Sequence, residues 1–278
     1  MGGLKGEGLG KSSLPNVATD TRAGKTEPRR LRRRVRAGRT LAGLIWPQRS
    51  LITHRELPGP GALEPGLWSK LTFITGQQCA RCGLPFEIAV EPDQVCGACL
   101  ADPPAYDRAR AALIYGDISR DLVLGLKYQG RRDGLGMLSG WMGNAGAELL
   151  AGADLITPVP LHYFRLIWRG FNQSGWLAAA LAQSSGVRLS VDTLKRVKAT
   201  PIQGNLSADA RRRNVQGAFK VRSSRLKLVK GKRVVLVDDV LTTGATAEAC
   251  ARTLKRAGAA CVDVITLARV AGPRTATI

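Results

Sequence analysis

Residues 233–246 read Arg-Val-Val-Leu-Val-Asp-Asp-Val-Leu-Thr-Thr-Gly-Ala-Thr. An unbroken apolar run, Val234 to Val237, leads straight into two adjacent carboxylates, Asp238 and Asp239. Apolar continuity without alternation is what a strand buried on both faces of a parallel sheet requires. A loop of small and hydroxyl residues follows, Thr242, Thr243, Gly244, Ala245 and Thr246. The amphipathic stretch Ala247 to Arg256, closed by Gly258, then predicts a helix. Backbone N–H groups in such a loop, with a helix N-terminus behind them, can cradle a phosphate. Paired carboxylates at the carboxyl end of a buried strand are costly unless used. They suit the hydroxyls of a sugar, or a magnesium ion bridging them.

Working outward, 278 residues suffice for one or two domains with a buried core. No apolar run approaches the ~20 residues that span a bilayer, so no membrane insertion is expected. The net charge is +21. Residues 1–40 hold eleven basic and three acidic residues and no aromatic ones. Such a segment cannot bury enough apolar surface to fold, and it is expected to be disordered. Its RRLRRRVRAGR run has three readings: a nucleic-acid or anionic-surface arm, a transit-peptide mimic, or an inessential extension upstream of a start near Val35 or Leu41. The extension is the favoured one. The basic excess elsewhere fits an enzyme that binds phosphate and pyrophosphate, without excluding nucleic acid.

Four of the six cysteines cluster as Cys79-x-x-Cys82 and, thirteen residues on, Cys96-x-x-Cys99. Two such knuckles supply the four thiolates of a tetrahedral, structural Zn²⁺; two disulfides are the alternative. The lack of an apolar signal segment and the cytosolic type of the phosphate motif favour the metal, and a cytoplasmic location. Cys250 and Cys261 are expected to be small buried core residues.

The acid pair and loop resemble the signature of type I phosphoribosyltransferases, which bind phosphoribosyl pyrophosphate (PRPP). With the cysteine quartet ahead of it and the blocks DLVLGLKYQGR (121–131), TPVPLHYFRLIWRGFNQS (157–174) and TPIQGNLSADARRRNVQGAF (200–219), the chain resembles the ComF family. That resemblance covers roughly Leu41 to Val270. It implies an α/β fold, a mainly parallel sheet flanked by helices, preceded by a small zinc-ribbon domain. The expected division is a basic extension at 1–40, the ribbon at 41–104, the transferase domain at 105–270 and a tail at 271–278. Many relatives carry a second cysteine quartet. Here Ser50, Thr53, Glu64 and Leu67 stand in its place, so one zinc is expected, not two. The first sub-ribbon should then persist by packing Leu63, Leu67, Trp68, Leu71 and Phe73, with His54 a solvated loop residue.

The resemblance also assigns roles. Asp238 and Asp239 would hold the ribose hydroxyls, and Thr242, Thr243, Gly244, Ala245 and Thr246 the 5′-phosphate. Mg²⁺ would accompany PRPP. Lys127, at a predicted helix end, and Arg165 and Arg169, four residues apart after the rigid Pro158-Val-Pro160 turn, would stabilise departing pyrophosphate. The two prolines are expected to stop further ladder pairing there, and Asn172 and Gln173 to start an amphipathic helix, Trp176 to Ala182. His162 is a weaker acid–base candidate. The basic block with Gln203, Leu206, Ser207, Arg211, Arg212, Arg213 and Asn214 resembles the hood that closes over PRPP. Arg222 to Lys232 reads as a surface connection. A solvated lysine or a plain charged helix face is the bland account of Lys127 and of the arginine run. Purine-salvage members often carry an acid in the phosphate loop; Thr242 stands there, which argues against simple purine chemistry. Three functions remain: a transferase on an unknown acceptor, a non-catalytic PRPP sensor, or a DNA-processing accessory protein contacting single-stranded DNA and a competence helicase-like partner.

Overall fold

The computed structural model describes residues 50–53, 55–57, 63–128, 132, 134–198 and 208–271, all within one compact unit, residues 47–278. The basic extension, His54, and the stretch from Thr200 to Ser207 lie outside the described residues. After two short helices, α1 (Pro65–Trp68) and α2 (Gly97–Ala101), the chain enters β1 (Ala109–Ile114). Helices α3 (Asp117–Tyr128), α4 (Leu135–Ala145) and α5 (Ala147–Leu150) lead to β2 (Leu155–Pro158). Then come α6 (Tyr163–Arg169), α7 (Gln173–Ser185), β3 (Leu194–Arg196), α8 (Ala208–Val215) and β4 (Phe219–Val221). A 3₁₀ turn, Ser223–Arg225, and α9 (Leu226–Val229) precede β5 (Arg233–Leu241), α10 (Ala245–Arg256) and β6 (Cys261–Arg269).

Four strands form a parallel sheet in the order β1-β6-β5-β2, and β3 pairs antiparallel with β4 beside it. Both faces of the central strand are covered, as its apolar run requires. Val235 and Val237 pack with α4 and α7, while Val234 and Leu236 pack with α10. Strand alternation thus divides one apolar run between two cores. Leu236 is completely buried. Leu236→Ala should therefore cost about 3 kcal/mol, transfer plus cavity. Urea unfolding at matched m-value checks it, and a loss within experimental error would mean the strand is not a core element.

Several local expectations are corrected. β5 does not end at the acids: its ladder with β6 continues through Asp238↔Thr266 to Leu241↔Arg269, so the pair lies inside the strand. The helix after the loop begins at Ala245, not Ala247, because Gly244 takes φ +80° and turns the chain directly into it. Pairing also persists past Pro158, since the Val159 N–H still donates to the Val237 carbonyl at 2.9 Å. The helix expected to start at Asn172 and Gln173 does so, with Asn172 its cap, but it runs on past Ala182 to Ser185. Within Arg222 to Lys232, Val229 is fully buried, so the segment is tied to the core. Cys250 is buried as expected, whereas Cys261 opens β6 and is only half-buried. Among the described residues no helix is long and apolar enough to cross a membrane.

Candidate functional site

The acid pair is held by two helices. From the last turn of α3, Lys127 Nζ reaches Asp239 Oδ2 at 2.9 Å. From the first turn of α7, Gln173 Nε2 donates to the same oxygen at 3.0 Å, and Ser174 Oγ donates to Asp238 Oδ1 at 2.8 Å. That turn is itself fixed by Asn172, whose side chain accepts from the Ser174 N–H and donates to the Val159 carbonyl, both at 3.1 Å. The Asp239 N–H also donates to Asp238 Oδ1, at 2.9 Å. Each carboxylate therefore keeps one oxygen, Asp238 Oδ2 and Asp239 Oδ1, without a partner among the described residues.

The two acids are electrostatically unequal. Burial, then repulsion from Asp239, pushes the Asp238 pKa up to about 7, against the pull of the Ser174 hydrogen bond. Burial opposes the Lys127 cation, but the Asp239 carboxylate outweighs it, so Lys127 lies above the ordinary lysine range.

Beyond the pair, Thr242 to Gly244 form a tight loop into α10. A left-handed backbone at Gly244 disfavours any side chain, and a Cβ there would sit 3.5 Å from the Tyr106 hydroxyl. Lys127, Asp238, Asp239, Thr242, Thr243 and Thr246 line one cavity of about 280 Å³. Gly244 lines it too. Ala245 is buried in the first turn of α10 and is not part of that lining. Arg165 and Arg169 lie on α6, within hydrogen-bonded helix backbone; their side chains are outside the described atoms. His162 N-caps α6, its Nδ1 accepting from the Phe164 N–H at 3.4 Å. Sequence reasoning read Asn172 and Gln173 only as a helix start and gave Ser174 no role. The signal was in the quoted RGFNQS block, of which only the arginine was given a ligand-binding role.

The second site is the cysteine quartet. Cys79, Cys82, Cys96 and Cys99 are buried, and their four Sγ atoms lie within 4.8 Å of one another. Cys82 and Cys96 Sγ are 3.8 Å apart. A tetrahedron with Zn–S bonds of ~2.3 Å has edges of about 3.8 Å, whereas a disulfide needs ~2.05 Å. All four are free thiols. Cys79 Sγ accepts the N–H groups of Cys82 and Cys96 at 3.5 and 3.3 Å, hydrogen bonds that hold a metal ligand in place. The residues fit a structural zinc, all four positions being protein ligands. Among the described residues this is the sole cluster of its kind. Gly83, at φ +67°, follows the first knuckle where a Cβ would lie 2.4 Å from the Ala109 carbonyl oxygen, so ribbon and β1 touch backbone to backbone.

Of the four positions expected to stand in for a second quartet, three, Ser50, Thr53 and Glu64, are joined by side-chain hydrogen bonds, without thiolates. Ser50 Oγ donates to Glu64 Oε2 at 2.5 Å, and Thr53 Oγ1 donates to Glu64 Oε1. Leu63 is buried beside them, and Trp68 stacks on Phe73 with both rings edge-on to Trp141.

With strand order, acid pair and loop in place, comparison with known proteins places the chain. Residues 147–276 match the phosphoribosyl transferase domain family. DNA utilization protein YhgH of Salmonella typhimurium is 38% identical over 200 residues, covering 69% of this chain and 83% of the relative. Competence protein F of Haemophilus influenzae is 31% identical over 204 residues, covering 69% and 84%. The chain belongs to the ComF family. Competence protein ComFC of Bacillus subtilis is a more distant ComF relative, 27% identical over 212 residues and covering 72% and 81%. Among solved structures, the purine phosphoribosyltransferase of Pyrococcus horikoshii aligns at 22% identity and a TM-score of 0.31, covering 51% of this chain and 75% of that one.

Proposed function

We propose that this ComF protein binds PRPP with Mg²⁺ in the 280 Å³ cavity and transfers its phosphoribosyl group to an acceptor. In this reading a ribbon at 41–104 precedes a transferase domain at 105–270. The observation that carries it is the pair of open oxygens, Asp238 Oδ2 and Asp239 Oδ1, beside a loop of threonines at a helix N-terminus. The open oxygens accept the ribose 2′- and 3′-hydroxyls. Loop N–H groups and the Thr242, Thr243 and Thr246 hydroxyls take the 5′-phosphate. Mg²⁺, a hard oxygen-seeking cation that the same carboxylates fit, neutralises pyrophosphate charge when bound. Lys127 can turn from Asp239 to the pyrophosphate, joined by Arg165 and Arg169. The bond from the anomeric carbon to the pyrophosphate oxygen breaks with its electron pair on pyrophosphate. The acceptor nucleophile bonds to that carbon and releases its proton. Positioning and electrostatics carry the rate.

The test is calorimetric titration of PRPP–Mg²⁺ into the full chain, with pyrophosphate release followed in parallel. Saturable binding with acceptor-dependent release supports a transferase, and binding without release a sensor. No binding by folded, zinc-loaded protein rejects the cavity as a PRPP site.

A proton should accompany binding. Between the ordinary aspartate value of 3.8 and about 7, the folded chain keeps a proton on Asp238 that the unfolded chain has lost. Ligand-free stability therefore falls as pH rises through that window. If hydroxyls and Mg²⁺ favour the ionised pair, binding at pH 6 should release close to one proton, and affinity should climb until about pH 7. Calorimetry in buffers of different ionisation enthalpy measures this; pH-independent binding from 5.5 to 8 would contradict it.

A second reading, a DNA-handling accessory acting with a helicase-like partner, draws support from the relatives' names. It also draws on Tyr163, Phe164 and Trp168, which are 65%, 69% and 79% exposed on α6. Exposed rings can stack on unpaired bases, although aromatic residues make up only 5% of the chain. Salt-sensitive binding of single-stranded DNA that survives loss of Asp238 and Asp239 would favour it.

A further inference from the structure

Arg269 ends β6 and is only 2% exposed. A guanidinium taken out of water is costly unless negative charge accompanies it. The neighbouring buried arginine, Arg110, has such a partner in Glu148 at 2.6 Å, and Arg108 has Asp263 at 3.3 Å. Arg269 pairs with no carboxylate among the described residues. Its Nη1 donates to the Cys82 carbonyl and its Nε to the Val270 carbonyl at 3.5 Å. Its charge also acts on the Cys82 sulfur. Four thiolates around Zn²⁺ would leave a net charge of −2 beside this unpaired guanidinium; Arg110, which donates to the Ala80 carbonyl at 3.2 Å, already has Glu148 as its partner.

We propose that Arg269 is the counter-ion of the metal-loaded cysteine centre and ties that centre to the phosphate loop. The tie is short and runs through hydrogen bonds. In the sheet Arg269 stands opposite Leu241, the residue before Thr242. The Val270 N–H donates to the Leu241 carbonyl at 3.0 Å, and the Tyr115 N–H donates to the Arg269 carbonyl at 2.6 Å. A loaded centre holds the guanidinium, and the guanidinium holds the strand end from which the loop departs. Empty, the quartet leaves a buried cation without its opposite charge, and the strand end loosens. Linkage makes the coupling reciprocal: whatever orders residues 241–244 also retains the metal. This inference needs the metal but not the reading of the cavity as a PRPP site.

The test measures zinc affinity of the full chain by competition with a chromophoric chelator. Wild type, Arg269→Gln and Arg269→Lys are compared, with the Co²⁺–thiolate charge-transfer band reporting an intact centre. Arg269→Gln should lose at least about tenfold in affinity, the usual scale for groups supporting metal ligands. Arg269→Lys, which keeps the charge, should stay within about threefold. Hydrogen exchange on wild type should slow at residues 241–246 when zinc is added. Unchanged affinity in Arg269→Gln overturns the counter-ion role. So does a tenfold loss in folded Arg269→Lys, which decides the matter if the glutamine variant does not fold. Identical exchange at 241–246 with and without zinc overturns the link to the loop.

Discussion

Replacing Asp238 and Asp239 together by asparagine is expected to weaken PRPP–Mg²⁺ binding at least about 100-fold, since two charge-assisted contacts are lost at once. Shape is preserved, so the loss reports charge and not a cavity. The single variants should separate by stability. Asp238 carries a pKa of about 7 because burial and Asp239 disfavour its ionised form, so Asp238→Asn relieves repulsion and should stabilise the ligand-free protein above that pH. Asp239 is the partner of Lys127, whose side chain is 27% exposed. Asp239→Asn leaves that cation without its counter-charge and should cost about 2 kcal/mol, less than for a fully buried pair because water reaches Lys127. Opposite signs in thermal melts at pH 8, with binding lost in both, would match this division of labour. Equal stability changes would mean that the pair acts as one unit.

Removing the metal should have the other large effect. The quartet's packing partners among the described residues are few, chiefly Leu84, Phe86, Val95 and Ala98, all only partly buried. So small a cluster cannot hold itself without its ion. Chelation, or Cys96→Ser, is expected to cost on the order of 5 kcal/mol, below the ~10–16 kcal/mol of isolated zinc-finger peptides because β1 supports the ribbon. Emission spectroscopy should find one zinc per chain. A melting temperature indifferent to chelator, or two zinc ions per chain, would refute this account.

How much was legible follows from range. The apolar run 234–237 announced a doubly covered strand because burial on both faces leaves a mark in consecutive residues. The Cys-x-x-Cys pairs announced a metal cluster because ligand chemistry constrains both type and spacing. What escaped were contacts between distant segments. Nothing local tells that Gln173 and Ser174 reach acids more than sixty residues away, at 3.0 and 2.8 Å. Nor does spacing show that β5 runs on past the acids, since that depends on the β6 ladder. Arg269 looked like one cation among many; only its burial against the ribbon sets it apart.

The Ser50–Glu64–Thr53 knot gives the two halves of the ribbon different vulnerabilities. Oxidants and zinc starvation can strike only the thiolate half, because hydroxyls and a carboxylate neither oxidise under such conditions nor wait for an ion. The other half fails by a different route, protonation of Glu64. Burial raises that carboxyl, but the Ser50 and Thr53 hydrogen bonds prevail and leave its pKa below the ordinary value. Zinc shortage therefore strikes the thiolate half alone, whereas acid strikes both, protonating the thiolates and releasing the metal before it reaches Glu64.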